Sequence, residues 1–189
     1  MNKFFDITLN REIITIYPGE LYITKKSELI TTILGSCISI VLFDEQNSIG
    51  GINHYMLPAA PPESKKNSGL PITRFGEYAI KTLIQEMINQ GASLKNLKAK
   101  IFGGSNVLNF SSKKDERKKD AQKKDVQKKD VQKKDALIGE ENINFARKFL
   151  KKIGIPIVSE DVGGVSSRKI FFDTTNYKVF LKRINSAEN

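Results

Sequence analysis

Apolar residues recur along this chain in two distinct rhythms. From Phe75 to Gln90, residues Ala79, Ile80, Leu83, Ile84, Met87 and Ile88 fall on one stripe at helical spacing, and Gly91 follows where a left-handed cap is wanted. A second helical stripe runs from about Glu140 to Lys152, with Ile143, Ala146, Phe149, Leu150 and Ile153 facing a core and Gly154 ending it. Elsewhere short apolar runs are separated by Gly and Asn/Asp clusters and predict strands. These cover Leu21–Thr24, Leu29–Leu34, Ile38–Phe43, Ile49–Tyr55, Leu97–Phe102, Ile155–Ser159, Lys169–Phe172 and Tyr177–Lys182. Strands crowd the first third, and helices then alternate with strands. The mixture predicts an α+β fold: a layered, mixed β-sheet sandwich with helices packed outside.

Residues 113–137 break both rhythms. They read KKDER, KKDAQ, KKDVQ, KKDVQ, KKDAL, five copies of a five-residue unit. A period of five matches neither 3.6 nor 2, so Val126 and Val131 build no apolar stripe. The segment reads as a solvated, mobile or partly helical insert, with a basic docking arm as the functional alternative. The rest of 1–189 reads as one domain carrying that insert.

Charge changes the picture less than its size suggests. The net charge is +10, but the repeat holds eleven basic and six acidic residues and so accounts for half of it. Nucleic-acid binding is therefore not indicated, since the charge lies in low-complexity sequence and not on a shaped face. No apolar run approaches the ~18 residues that span a bilayer, and the first residues turn polar too soon for a signal peptide, so membrane insertion is not expected. A lone cysteine forms no intrachain disulfide and points to the cytoplasm.

That cysteine, Cys37, and the only histidine, His54, are the candidate chemistry. A thiol and an imidazole are what a cysteine hydrolase needs. The segment Asp44-Glu45-Gln46-Asn47 has turn chemistry. If it closes a hairpin, position i faces position 91 − i and Cys37 falls opposite His54, with Cβ atoms ~4.5–5.5 Å apart. Gly35 allows a bend before the nucleophile, and N–H groups near Ser36 and Cys37 could face an oxyanion. Thr31, Thr32, Asn53 and Ser36 are all open as the group that orients the imidazole. One His and one Cys make no Cys/His zinc site, and no metal or cofactor is called for. Gly103-Gly104-Ser105-Asn106 and Gly163-Gly164 are either turns needing positive φ or places where a substrate or partner comes close. Glu160-Asp161 reads as a solvated loop or partner contact.

The ordered motifs Gly19-Glu20-Leu21-Tyr22-Ile23, Thr31-x-x-Leu34-Gly35-Ser36-Cys37 and Ile49-Gly50-Gly51-Ile52-Asn53-His54-Tyr55-Met56-Leu57-Pro58 resemble CheD, the chemoreceptor glutamine deamidase family. The likeness continues through Arg74-Phe75-Gly76, Ala99 to Asn106, Ile138-Gly139-Glu140-Glu141-Asn142 and Gly154 to Gly164, and spans roughly residues 17 to 184 less the repeat. The resemblance implies a thiol hydrolase with Cys37 as nucleophile, His54 as base and Thr31 as the third member, holding the imidazole. It implies glutamines on the cytoplasmic helices of methyl-accepting chemotaxis receptors as substrate, and a CheC-type phosphatase as partner. Two other readings within this frame are an adaptor that binds receptor and CheC without chemistry, and a receptor glutamyl methylesterase.

Overall fold

The computed structural model describes residues 1–7, 9–61, 69–106 and 124–184, and only the backbone within 124–136. Among the described residues ten strands form two five-stranded sheets. The first contains β1 (Asn2–Asp6), β2 (Arg11–Thr15), β4 (Leu29–Leu34), β9 (Ser167–Asp173) and β10 (Val179–Ile184), in the order β1-β2-β4-β9-β10. The second contains β3 (Leu21–Thr24), β5 (Ile38–Asp44), β6 (Ile49–Asn53), β7 (Lys98–Gly103) and β8 (Ile157–Val162), in the order β3-β6-β5-β7-β8. Both sheets are mixed: β2 pairs with β4, and β7 with β8, in parallel, and the other pairings are antiparallel. Helices α1 (Gly76–Asn89) and α2 (Lys124–Lys152) complete an α+β layered fold.

The layers follow from which faces are apolar. Ile14, Ile30, Leu34, Ile170 and Phe172 of the first sheet meet Val41, Phe43, Ile52 and Phe102 of the second. The opposite face of the second sheet, with Ile38, Ile40, Leu42 and Ile101, packs under Ala79, Ile80 and Leu83 of α1 and Ile143, Ala146 and Leu150 of α2. The second sheet is thus covered on both sides. That is why β5 is an unbroken apolar run apart from Ser39 and Asp44, and why every one of its residues is buried.

Several boundaries differ from the sequence reading. β1 and β2 were not expected; their apolar residues are interleaved with Lys, Asp, Arg and Glu, which hid them. Helix α2 starts at Lys124, not near Glu140. The Lys, Gln and Ala of the repeat are good helix formers and need no apolar stripe to continue a helix already anchored at its far end. Residues 113–123 of the repeat lie outside the described residues. Gly139 sits inside α2 because a Cβ there would lie 2.7 Å from the Gly104 carbonyl oxygen.

The hairpin register also differs. β5 and β6 pair as Val41↔Ile52, Leu42↔Gly51, Phe43↔Gly50 and Asp44↔Ile49, so i faces 93 − i. Asp44 belongs to the strand and supports the turn from its base. Its carboxylate accepts the backbone N–H groups of Gln46 and Asn47 at 3.0 and 3.1 Å and the Asn47 amide at 2.7 Å. His54 therefore lines up with Ser39, and Cys37, one step beyond the Ile38↔Tyr55 bridge, lines up with Met56. The shift is two residues, so Cys37 and His54 keep a common face and become diagonal neighbours instead of direct ones.

Candidate functional site

Cys37 lies in the short link between β4 and β5, two strands belonging to different sheets. Each carbonyl of that link is held from a different direction. The Gly35 oxygen accepts Ser105 N–H at 2.8 Å, and the Cys37 oxygen accepts Gly104 N–H at 2.8 Å. The Ser36 oxygen accepts the Asn142 side-chain amide at 3.0 Å. The approach of Gly103 to this link is close enough to require glycine. Its φ is +114°, and a Cβ would stand 2.1 Å from the Cys37 oxygen.

His54 follows β6, and its backbone turns from β5 to the segment before β3. Its N–H donates to Glu20 O at 2.9 Å, and its carbonyl accepts Gly19 N–H at 2.7 Å. On the other side Asn53 fills the gap left in the ladder: its Oδ1 accepts Ile40 N–H at 2.9 Å. The imidazole is buried between the sheets. Its Nδ1 lies 2.8 Å from Thr32 Oγ1, which also lies 2.8 Å from the Ile16 carbonyl oxygen. A carbonyl can only accept, so the one Thr32 proton goes to Ile16 O, and Thr32 accepts from Nδ1–H. The tautomer is thereby fixed, with a lone pair on Nε2, and Nε2 is buried without a hydrogen-bond partner among the described residues.

Thr31 does not hold the ring. Its hydroxyl donates to Ile170 O at 2.8 Å. Side chains alternate along a strand, and Thr32 shares the inward face of β4 with Ile30 and Leu34 while Thr31 points the other way. Of the four orienting residues left open by the sequence, Thr32 makes the contact.

Burial sets the resting protonation. It pushes the Cys37 thiol up to about 11, opposed by the residue's own backbone N–H. Burial likewise lowers His54 to about 4, against the pull of the Glu20 carboxylate. At neutral pH both groups are uncharged, and no hydrogen bond joins them. The arrangement is a neutral thiol and an imidazole whose lone pair at Nε2 is free, not a preformed thiolate–imidazolium pair.

The Gly103-to-Asn106 segment was open as a turn needing positive φ or as substrate or partner surface, and Gly103 and Gly104 do have positive φ, +114° and +70°. Gly103, Gly104 and Ser105 are buried rather than surface-exposed, and Asn106 is half-buried. They brace the Cys37 link. The fully buried Arg168 holds them in turn: its guanidinium donates to Gly103 O at 3.2 Å and Ser105 Oγ at 2.9 Å, and pairs with the Asp161 carboxylate at 2.7 Å. Glu160 and Asp161 lie in β8 and not in a loop, paired with Arg147 and with Arg168 and Arg183. Sequence reasoning gave no role to Arg168 or Asn142. Each interrupts an apolar pattern: Arg168 takes an inward position on β9 ahead of Ile170 and Phe172, and Asn142 abuts the stripe of α2. Among the described residues no group of three or more His, Cys, Asp and Glu side chains is placed to hold a metal ion.

A family model described as CheD chemotactic sensory transduction matches residues 56–183. The chain belongs to the CheD family. The family model begins just past His54, but full-length relatives extend the match over the thiol and imidazole. A probable chemoreceptor glutamine deamidase CheD from Methylobacillus flagellatus is 36% identical over 188 residues, covering 100% of this chain and 82% of the relative. The protein of that name from a Janthinobacterium species is 37% identical over 192 residues, covering 100% and 81%. A probable chemoreceptor glutamine deamidase CheD 2 from Shewanella oneidensis is 38% identical over 177 residues, covering 92% and 78%.

Proposed function

We propose that this protein is a protein-glutamine deamidase acting on methyl-accepting chemotaxis receptors, with Cys37 as nucleophile and His54 as general base and acid. The observation that carries the reading is the fixed tautomer of His54. A base lone pair is held at Nε2 by a hydroxyl whose own proton is already committed to Ile16 O.

The steps follow from the residues. His54 Nε2 takes the Cys37 proton as the sulfur attacks the glutamine carboxamide carbon. The carbonyl π electrons move to oxygen. Because the peptide is planar and trans, each N–H points opposite the carbonyl of the same unit. With Gly35 O and Ser36 O held inward, Ser36 N–H and Cys37 N–H face the other way, where an oxyanion can take them. Gly35 supplies the first of those anchored carbonyls. The intermediate collapses with cleavage of the C–N bond, and His54 delivers its proton to the departing ammonia. A thioester remains. Water attacks it with its proton passing to His54, the C–S bond breaks, and the thiol is restored. Glutamine and water have become glutamate and ammonia.

Transfer of the proton in the same step as attack suits two groups that are neutral at rest, since neither has to be charged inside the fold beforehand. The cytoplasmic setting and a CheC-type phosphatase partner belong to this reading through the family resemblance. Its test is to catch the intermediate. Rapid acid quench of enzyme mixed with a receptor cytoplasmic fragment should yield a hydroxylamine-sensitive adduct on the peptide carrying Cys37. Turnover with no such adduct, at enzyme concentrations above substrate, contradicts the thioester route.

A further inference from the structure

The Asn142 side chain does more than fill the start of an apolar stripe. It is fully buried on α2, and its amide group donates to two carbonyls at once: Ser36 O at 3.0 Å and Met56 O at 2.8 Å. One acceptor is the residue before the candidate nucleophile, and the other lies two residues after the candidate base. Two carbonyl partners require the NH₂ end of the side chain, which fixes the amide orientation. The Asn142 backbone oxygen is held separately by the Tyr55 hydroxyl at 2.7 Å. Helix, nucleophile link and base segment therefore meet at one side chain.

The consequence for chemistry lies in the peptide joining Ser36 to Cys37. Its carbonyl and N–H point in opposite directions because the unit is rigid and planar. Fixing Ser36 O on Asn142 aims Cys37 N–H away from α2. The neighbouring carbonyls at Gly35 and Cys37 are fixed by backbone donors of Ser105 and Gly104. Only the central peptide relies on a side chain, so it is the one whose tilt a substitution can release.

We propose that Asn142 is a positioning residue for the deamidation, setting the direction of the Cys37 N–H that stabilises the oxyanion. The inference rests on Cys37 being the nucleophile. It predicts a defect in the transition state of acyl transfer and none in the reactivity of the sulfur itself. Alkylation by iodoacetamide displaces iodide at a methylene carbon and develops no oxyanion, so it reports sulfur reactivity alone.

The test uses the full chain with Asn142→Ala, Tyr55→Phe and Cys37→Ala. Deamidation of a receptor fragment and Cys37 alkylation by iodoacetamide are both followed. Asn142→Ala should lose about a hundredfold in kcat, the scale of one oxyanion donor, with KM little changed and alkylation at the wild-type rate. Tyr55→Phe removes a hydrogen bond to the same helical turn without touching Ser36 O, and should lose far less kcat than Asn142→Ala. If Asn142→Ala does not fold, Asn142→Ser, too short to span both carbonyls, carries the same comparison. The proposal is overturned if the Asn142 variant deamidates normally, if alkylation falls in step with deamidation, or if Tyr55→Phe loses as much kcat. Deamidation surviving in Cys37→Ala would instead defeat the nucleophile assignment on which it rests.

Discussion

Thr32 Oγ1 stands 2.8 Å from His54 Nδ1, while the adjacent Thr31 hydroxyl is turned to Ile170 O. The two threonines differ by one position in a strand and so by a whole face of the sheet. Family resemblance alone would assign the imidazole to Thr31. Geometry separates the two: Thr32→Val should lower kcat about tenfold or more, because the ring loses the acceptor that fixes its tautomer. Thr31→Val should cost ~1 kcal/mol of stability, one buried hydrogen bond, and leave the rate near wild type. Steady-state deamidation and thermal melts of both variants read this directly, and the reverse pattern would restore Thr31.

The resting protonation has a pH signature. With the thiol held up to about 11, iodoacetamide alkylation of Cys37 should climb continuously from neutral pH upward. A plateau reached below pH 8 would mean a thiolate already formed by ion pairing. On the acid side His54 is held down to about 4, so its lone pair survives to lower pH than that of an exposed histidine. The acid limb of kcat/KM should therefore fall near pH 4, not near 6.5. The same shift links to stability. Unfolded His54 takes a proton below ~6.5 and folded His54 does not until about 4, so stability present above ~6.5 declines as pH falls through about 4, by at most ~3 kcal/mol. His54→Gln should flatten that part of the stability profile.

Gly103 offers a steric test of the Cys37 link. A Cβ at that position meets the Cys37 carbonyl oxygen at 2.1 Å, and φ is +114°, a region closed to L side chains. Gly103→Ala should cost ~3 kcal/mol or more and displace the link that carries the thiol. Deamidation should fall further than the melting temperature alone explains. The exposed Gly154 also has positive φ, +76°, but a Cβ there meets nothing within 4 Å. Gly154→Ala should cost ~1 kcal/mol and leave the rate unchanged.

Much of this architecture was legible in the residues themselves. β3 and β4 run over the expected residues because their apolar runs are bounded by clear turn chemistry, and α1 begins and ends within one residue of its stripe. The apolar run Ile38–Phe43 was legible as a strand, and it occupies the centre of the covered sheet. The candidate site was harder to read. The turn after β5 hinges on whether Asp44 is the last strand residue or the first loop residue, and its side-chain bonds to Gln46 and Asn47 decide this only in three dimensions. Choosing between Thr31 and Thr32 requires knowing which face of β4 meets the second sheet. Asn142 and Arg168 act through carbonyls far away in sequence, 106 residues in the case of Asn142 and Ser36. No local pattern encodes such pairings. Their one trace is a polar residue where an apolar one would fit, and that trace says something is satisfied there without saying what.

The central claim is that the sulfur of Cys37 attacks a receptor glutamine. It is tested most directly by intact-mass and peptide-mass analysis of a chemoreceptor cytoplasmic fragment, incubated with wild-type protein and with Cys37→Ala at matched concentrations. The account predicts conversion of selected glutamines to glutamate by wild type, with release of ammonia, and none above the spontaneous rate by Cys37→Ala. Equal conversion by the two proteins would contradict it.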